Sequence, residues 1–420
     1  MYIKILSAQN LLPNIRAMNF AFGAMLSRIA SGISQLYAIR IFLSNHSPDE
    51  YSTMIILLGL TPIFFLFEFG ISQTLQNNFN QKKISADSMI KIMLLHYLII
   101  IFIGLLISKS IFIPSFILHE SLMNTTNIQI FTLGSLLLTV SSSNLILHKV
   151  LLLLRCGKLI NVMVFITSVM QIIGLYVYNK IGASSPVISI FLFLFPSLLS
   201  SFFFLGWLTR KALLKKTIDK RLISYDFYKT SRAFFLLNAM AASMMAIDYL
   251  ILSLYGAANQ IVSYHIVTRF FYLSYIVYIS YLTFVAKKIS KTNENDAVNK
   301  IRKTTAIIGV VCVCGVFIFL TILKESKAMY IISKGLDISY PLLISGLIYF
   351  LIRVFADIHI ILAKNQSKKR LAFMVYLIQI FSAGILMYTL FPLFGEPSLF
   401  ISLAIAYFLG ILFHRRQPKT

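Results

Sequence analysis

Long apolar runs recur along the whole chain and are separated by short polar gaps. A helix that crosses a bilayer needs roughly 20 mostly apolar residues, and about twelve of these runs reach that length. Core helices of a soluble domain are shorter and fewer. The pattern therefore predicts an all-α polytopic membrane protein. The predicted spans are 18–43, 51–74, 88–112, 127–153, 159–178, 185–208, 233–254, 261–286, 304–323, 339–363, 371–391 and 397–413.

The composition agrees with a chain that lies mostly in lipid. Hydrophobic residues make up 58% of the 420 positions and charged residues only 12%, whereas a soluble domain carries roughly a quarter charged residues. The formal net charge of +24 is spread over short loops. A nucleic-acid binder clusters its basic residues on one face or helix, so no nucleic-acid partner is expected.

The basic residues alternate between the gaps and so predict an orientation. Of the 38 Lys and Arg residues, 27 lie in the even-numbered gaps or at the two termini, and five lie in or at the edges of the odd-numbered gaps. Short loops rich in Lys and Arg remain cytoplasmic, and they also attract anionic lipid head groups. Both termini are therefore predicted to be cytoplasmic.

The longest basic gap divides the chain into two halves of six spans each. We expect an N-terminal lobe over 1–209, a cytoplasmic basic linker over 210–232 and a C-terminal lobe over 233–420. An even number of spans gives both halves the same orientation, so their pseudo-two-fold axis would run along the membrane normal. Faint internal similarity between 41–58 and 250–268 agrees with such a repeat.

Charged residues inside the spans are the candidates for function, since a charge at the centre of a span is costly and turns toward partner helices or a water-filled cavity. In the first span Arg28, Ser31, Gly32 and Gln35 share one helical face. A polar stripe with a cation suits an anion path. Small and polar residues also serve close helix packing, and the sequence leaves both readings open.

Two further spans carry cations on polar faces. His265 and Arg269 lie one turn apart in the eighth span, and Arg353 and Asp357 lie one turn apart in the tenth. Arg353 and Asp357 are spaced for an ion pair on one face. Whether Arg353 binds a substrate or only pairs with Asp357 stays open at this point.

Two buried acids complete the set of candidates. Glu68 in the second span and Asp248 in the seventh could each hold an arginine or take up a proton, since burial raises a carboxyl pKa and a nearby cation lowers it. Coupling to a proton or sodium gradient is therefore open. The chain has no Walker-type phosphate loop and no metal-ligand spacing, so we expect neither an enzyme, a metal site nor a bound cofactor.

Two stretches of sequence, together with the twelve-span layout, resemble one transporter family. The stretch FEFGISQTLQNNFNQKK, which contains Glu68, resembles that family's acidic-Phe-Gly-Ile segment, although an Asp is commoner at the acidic position. Asp248, Gly256, Tyr264 and Arg269 resemble its pattern of an Asp, a short gap with Gly, a Tyr and a basic residue. The family is the Wzx-type polysaccharide flippases of the multidrug/oligosaccharidyl-lipid/polysaccharide exporter superfamily.

The resemblance implies a function and a set of partners. Such a flippase moves undecaprenyl-diphosphate-linked sugar repeat units, for O-antigen in lipopolysaccharide or for another surface polysaccharide, from the cytoplasmic to the periplasmic leaflet of the bacterial inner membrane. Membrane lipid, the polymerase and the chain-length proteins of the same pathway are the implied partners. Arg28, Arg269 and Arg353, with His265 and Gln35, would then hold the diphosphate or an acidic sugar, since guanidinium binds such oxygens bidentately.

Three other functions compete with this one. A multidrug or cation antiporter of the same superfamily would need a cavity dominated by acids. A lipid II flippase would have a similar basic cavity but usually more than twelve spans. A membrane polymerase or glycosyltransferase of the same glycan pathway would have large periplasmic loops, and the predicted outside gaps are short.

Overall fold

A computed structural model describes residues 23, 26–81, 84–110, 112–154, 156–212, 225–289, 295–326, 328–333, 335–365 and 369–416. Helices make up nearly all of this part of the chain, and it contains no strand. The helices of the first half are α1 (26–45), α2 (Pro48–Gly59), α3 (Thr61–Phe64), α4 (Ile71–Asn80), α5 (Ala86–Lys109), α6 (Phe112–Ile117), α7 (Thr125–Ser141), α8 (Ser143–Leu153), α9 (Gly157–Lys180) and α10 (Pro186–Ala212). Those of the second half are α11 (Tyr225–Tyr255), α12 (Ala258–Ile289), α13 (Asn295–Glu325), α14 (Ala328–Ile332), α15 (Tyr340–Asn365), α16 (Lys369–Phe394) and α17 (Pro397–Arg416).

Twelve membrane crossings account for these helices, as predicted. Among the described residues nine helices are long and apolar enough to span a membrane, with α7 and α8 counted together, and a bent pair formed by α2 and the segment Thr61–Glu68 makes a tenth. The helices α1 and α12 are also of spanning length and carry polar faces. The all-α polytopic fold is confirmed. Most of the predicted linker, 213–224, lies outside the described residues.

The two halves repeat one packing pattern. In the first half α2 packs on α7, α5 on α7, α7 on α10 and α9 on α10. In the second half the corresponding helices pack in the same pairs, namely α12 on α15, α13 on α15, α15 on α17 and α16 on α17. This correspondence is what two six-helix lobes in the same orientation require.

Helix burial sorts the helices into inner and lipid-facing ones. The span formed by α7 and α8 is 72% buried over its most apolar window, whereas the windows of α9 and α13 are each only 17% buried. The peripheral helices expose large apolar side chains such as Leu98, Phe203 and Val311. Lipid tails are as apolar as these side chains, so their exposure is the expected outer surface of a membrane protein.

The second span is broken, which the prediction of one continuous helix over 51–74 did not foresee. The axis bends by 43° between Gly59 and Thr61, where Pro62 enters α3 without a backbone N–H to donate. After a 3₁₀ turn the chain passes through Phe69 and Gly70, both in the left-handed region at φ 51° and 70°. Gly70 is required, because a Cβ there would lie 2.6 Å from the Ser231 carbonyl oxygen. The break therefore brings the start of α4 against α11 of the other half.

Contacts between the halves occur at both ends of the helix bundle. Near the start of α2, Ser52 Oγ donates to the Ala258 carbonyl at the start of α12, 3.2 Å away. At the opposite end, Ser231 Oγ on α11 donates to the Phe69 carbonyl, 2.6 Å away. Between these two contacts the halves separate around a cavity.

Candidate functional site

A cavity of about 750 Å³ lies between the two halves. Its wall is formed by α1, the broken second span and α7–α10 of the first half, together with α11 and α12 of the second. This volume lies in the usual range of small-molecule binding sites. The cavity is therefore the candidate substrate site.

Arg269 of α12 makes a hydrogen bond to the other half at the cavity wall. Arg269 lies about 16 Å along α12 from Ala258, at ~1.5 Å per residue, and so sits deep in the bundle. Its Nη1 donates to Gln35 Oε1 on α1, 3.0 Å away, and its Nε donates to His265 Nε2, 3.2 Å away. Arg269 and Gln35 both line the cavity. The structure thus brings together three of the predicted site residues, with His265 directly behind the wall.

Hydrogen bonds behind Arg269 fix its position. Because Arg269 Nε donates to His265 Nε2, that nitrogen must accept, and the neutral ring carries its proton on Nδ1. His265 Nδ1 lies 3.0 Å from the Tyr249 hydroxyl. The ring of Tyr249 in turn packs against Gly59, where an added Cβ would lie 2.1 Å from the ring. Arg269 is therefore held by a chain of contacts that runs through α12 and α11 to the broken second span.

Asp248 lies deeper in the second half and does not line the cavity. The Tyr264 hydroxyl donates to its Oδ2 at 2.6 Å, and the Tyr249 backbone N–H donates to its Oδ1 at 3.0 Å. Both carboxylate oxygens are thus engaged by neutral donors. The observed partner of this acid is a tyrosine of α12, which the sequence did not identify.

Glu68 lines the cavity on the opposite wall and is only 2% exposed. Its Oε1 accepts from Asn238 Nδ2 on α11 at 3.0 Å, and the same amide reaches Gln73 Oε1 at 3.4 Å. Asn238 and Gln73 also line the cavity. The acid of the second span therefore makes a hydrogen bond across the halves, through an asparagine that sequence reasoning missed.

Arg353 lies inside the second half and is not part of the cavity wall. Its Nε is 3.7 Å from Asp357 Oδ2, and its Nη1 donates to the hydroxyls of Tyr272 and Tyr349 at 2.6 and 2.7 Å. Its guanidinium carbon lies 4.7 Å from the ring centroid of Tyr275. Such ring faces stabilise a desolvated cation. Only Tyr272 connects this cluster to the cavity, which it lines.

The predicted face of the first span reaches the cavity only in part. Ser31 and Gln35 line the cavity, and Gly32 packs against α12, where an added Cβ would lie 1.9 Å from a methyl group of Leu273. Arg28 is exposed and is not among the lining residues. This face of α1 therefore forms part of the cavity wall and also packs against α12 of the other half.

A neutral polar surface forms much of the remaining wall, and sequence reasoning did not single it out. We call it the hydroxyl wall; it consists of Thr167, Ser168, Ser197, Ser200 and Ser201 on α9 and α10. The repeated serines of α10 in an otherwise apolar span were the available signal. Over the described residues no group of three or more His, Cys, Asp or Glu side chains is placed to hold a metal ion.

No family profile matches the chain, but curated relatives cover most of it. A putative O-antigen export protein of Yersinia pseudotuberculosis is 23% identical over 363 residues, which are 83% of each chain. A putative O-antigen transporter of Salmonella typhimurium is 24% identical over 412 residues, which are 93% of each chain. The resemblance seen in the sequence is confirmed by these relatives.

Solved structures share the fold at low identity. The lipid II flippase MurJ in an inward closed conformation superposes with a TM-score of 0.67 at 18% identity, over 94% of this chain and 86% of that one. An inward-facing multidrug resistance MATE family transporter of the MOP superfamily superposes with a TM-score of 0.65 at 12% identity, over 93% and 97%. The chain shares the fold of these two proteins. Its relatives are named exporters, transporters and flippases rather than enzymes, in agreement with the expectation from the sequence.

Proposed function

We propose that this transporter flips undecaprenyl-diphosphate-linked oligosaccharide repeat units, of O-antigen or a similar surface polysaccharide, across the bacterial inner membrane. The direction is from the cytoplasmic to the periplasmic leaflet. Residues 1–209 and 233–420 act as two lobes joined by the basic linker 210–232, with both termini cytoplasmic. The glycan polymerase and chain-length proteins receive the flipped unit.

The observation that carries this proposal is the arginine placed between the lobes. Arg269 is held against Gln35 of the other lobe at the wall of a cavity of about 750 Å³. A diphosphate has only acceptor oxygens, and a guanidinium offers several donors in a planar fork that matches them. A diphosphate entering between the lobes takes over the donors that Gln35 and His265 now occupy.

Alternating access requires the lobe contacts at the two ends of the cavity to break in turn. The hydrogen bonds at the two ends are Ser52 to Ala258 and Ser231 to Phe69, and each contributes only about 0.5–1.5 kcal/mol. Beside them α2 packs on α12 and α4 packs on α11. Rocking of the lobes must therefore release this apolar packing as well as the hydrogen bonds.

Coupling to a proton or sodium gradient is assigned to Glu68 rather than Asp248. Glu68 bonds across the lobes to Asn238 and lines the cavity, so its surroundings change when the lobes part. Asp248 keeps both of its partners on α11 and α12 of one lobe. Arg353 acts as a positioning residue, since it reaches the cavity only through the hydroxyl of Tyr272.

The geometry disfavours a cation antiporter. Apart from two tyrosines, the ionisable groups on the described cavity wall are Glu68, His148 and Arg269, so carboxylates do not dominate it. When the gene is deleted, the identity of the accumulated lipid-linked compound and the leaflet that holds it distinguish the proposed function from a lipid II flippase and from a glycan polymerase.

Deletion of the gene tests the proposal in the cell. The long surface polysaccharide should disappear, while fully assembled single repeat units on undecaprenyl diphosphate accumulate in the cytoplasmic leaflet. A plasmid copy of the gene should restore the polysaccharide. Accumulation of unpolymerised units in the periplasmic leaflet would instead assign the protein a step after flipping. Accumulation of lipid II in the cytoplasmic leaflet would indicate a lipid II flippase.

A further inference from the structure

Most hydroxyl protons of the hydroxyl wall are donated to carbonyl oxygens of their own helices. Ser168 Oγ donates to the Val164 carbonyl at 2.8 Å, and Ser201 Oγ donates to the Ser197 carbonyl at 2.7 Å. Ser200 Oγ donates to the same Ser197 carbonyl at 3.1 Å. Each hydroxyl carries one proton and two acceptor lone pairs, and here the proton is used within the helix.

A fourth hydroxyl pairs with one of these three. Thr167 Oγ1 and Ser200 Oγ lie 2.9 Å apart, and either can donate to the other. In both arrangements one proton of the pair is used between the two hydroxyls. Asn144, which also lines the cavity, donates from Nδ2 to Ser197 Oγ at 3.0 Å. One amide donor of the cavity is therefore also used within the protein. The hydroxyl wall therefore offers mainly oxygen lone pairs to the cavity, and these accept hydrogen bonds.

No ionisable side chain of the described cavity wall comes from α9 or α10. Those present are Glu68 on the second span, His148 on α8, Tyr249 on α11, and Arg269 and Tyr272 on α12. A carboxylate placed against the hydroxyl wall would meet acceptor oxygens with no cation from those helices. Burying an unpaired charge is strongly unfavourable. A sugar hydroxyl, by contrast, donates to an acceptor oxygen without bringing a charge.

We infer that the hydroxyl wall is a sugar subsite that selects uncharged sugars, which donate their hydroxyl protons to it, while Arg269 and Gln35 hold the diphosphate. This inference rests on the proposed function, since it names the sugar class of the same substrate. It divides the cavity into an anion-binding part on α1 and α12 and an acceptor surface on α9 and α10. Acidic sugars, such as hexuronic acids, are disfavoured.

A binding measurement with three probes tests the inference. The purified full chain in nanodiscs is titrated with bare undecaprenyl diphosphate, with undecaprenyl diphosphate carrying a neutral tetrasaccharide, and with the same compound in which one hexose is a hexuronic acid. The neutral glycan should bind at least about tenfold more tightly than the acidic one. Equal or tighter binding of the acidic glycan overturns the inference.

The same titration separates the inference from the function on which it rests. If the bare lipid binds and the neutral tetrasaccharide adds no affinity, the sugar subsite is wrong and the diphosphate site stands. If none of the three probes binds, the proposed function and the inference both fail.

A pair of variants locates the subsite. Thr167→Val and Ser200→Ala should each weaken binding of the neutral glycan about fivefold and leave binding of bare undecaprenyl diphosphate unchanged. Thr389→Val is the control, because Thr389, like Ser200, donates to a carbonyl of its own helix, that of Ile385 at 2.9 Å, but is exposed on α16 and does not line the cavity. An equal loss with the bare lipid, or no loss with the glycan, contradicts the assignment.

Discussion

Replacement of Arg269 by alanine tests the anion site directly. The change removes the donors that now reach Gln35 Oε1 at 3.0 Å and His265 Nε2 at 3.2 Å. In the proposed site the same donors would bind the diphosphate. A hydrogen bond to a charged group contributes about 1.5–3 kcal/mol, so loss of one such bond to phosphate lowers affinity about 10- to 150-fold.

The assay is equilibrium binding of undecaprenyl diphosphate to the protein in nanodiscs of uncharged lipid. Arg269→Lys should recover part of the affinity, because lysine keeps the charge but loses the planar fork. Arg40→Ala is the control, since Arg40 is an exposed arginine of α1 that does not line the cavity. Unchanged binding by Arg269→Ala, or an equal loss in Arg40→Ala, would refute the reasoning.

Three further predictions concern orientation, lobe contact and pH. An alkaline phosphatase fusion at Thr420 should be inactive and a fluorescent protein fusion there should be bright, because the C-terminus is predicted to be cytoplasmic; active phosphatase would reverse the orientation. Gly70→Ala should lower the melting temperature more than Gly182→Ala, because both glycines have positive φ but only at Gly70 would the Cβ meet the backbone of α11; equal losses would contradict that contact. Burial lowers the pKa of His46, in the loop between α1 and α2, against the opposing effect of Glu50. Protonation of this histidine therefore favours the unfolded state. The free energy of unfolding should be at its full value above the ordinary histidine pKa of about 6.5 and should fall as the pH drops below it. Between pH 7.5 and 5.5 the melting temperature of His46→Phe should fall by less than that of the parent protein. The control is His119→Phe, because His119 is exposed, and its melting temperature should fall as much as that of the parent. If His46→Phe keeps the pH dependence of the parent, His46 is not its cause.

The crossing helices were predictable because hydropathy acts locally along the chain. Each span must satisfy its backbone hydrogen bonds internally in lipid, so a long apolar run suffices to identify it. The break in the second span depends instead on Pro62 and on the room that Gly70 leaves for the Ser231 carbonyl. That second contact lies across the two halves, and no local pattern encodes it.

The candidate site was predictable only where a single helix carries its signal. The spacing of His265 and Arg269 on one helix identified a real hydrogen-bonded pair. The partners Gln35 and Arg269 are 234 positions apart, and their contact follows from lobe packing. For the same reason the sequence could not separate Arg269, which lines the cavity, from Arg353, which lies behind it.

Reconstituted flipping tests the central claim most directly. The purified protein is inserted into liposomes that contain an undecaprenyl-diphosphate-linked oligosaccharide with a fluorescent sugar, and a membrane-impermeant quencher is added outside. Quenching should proceed beyond the outer leaflet and become nearly complete, and Arg269→Ala should slow this second phase. Quenching that stops at the outer leaflet with the purified protein, as in protein-free liposomes, would show that the protein does not flip this substrate.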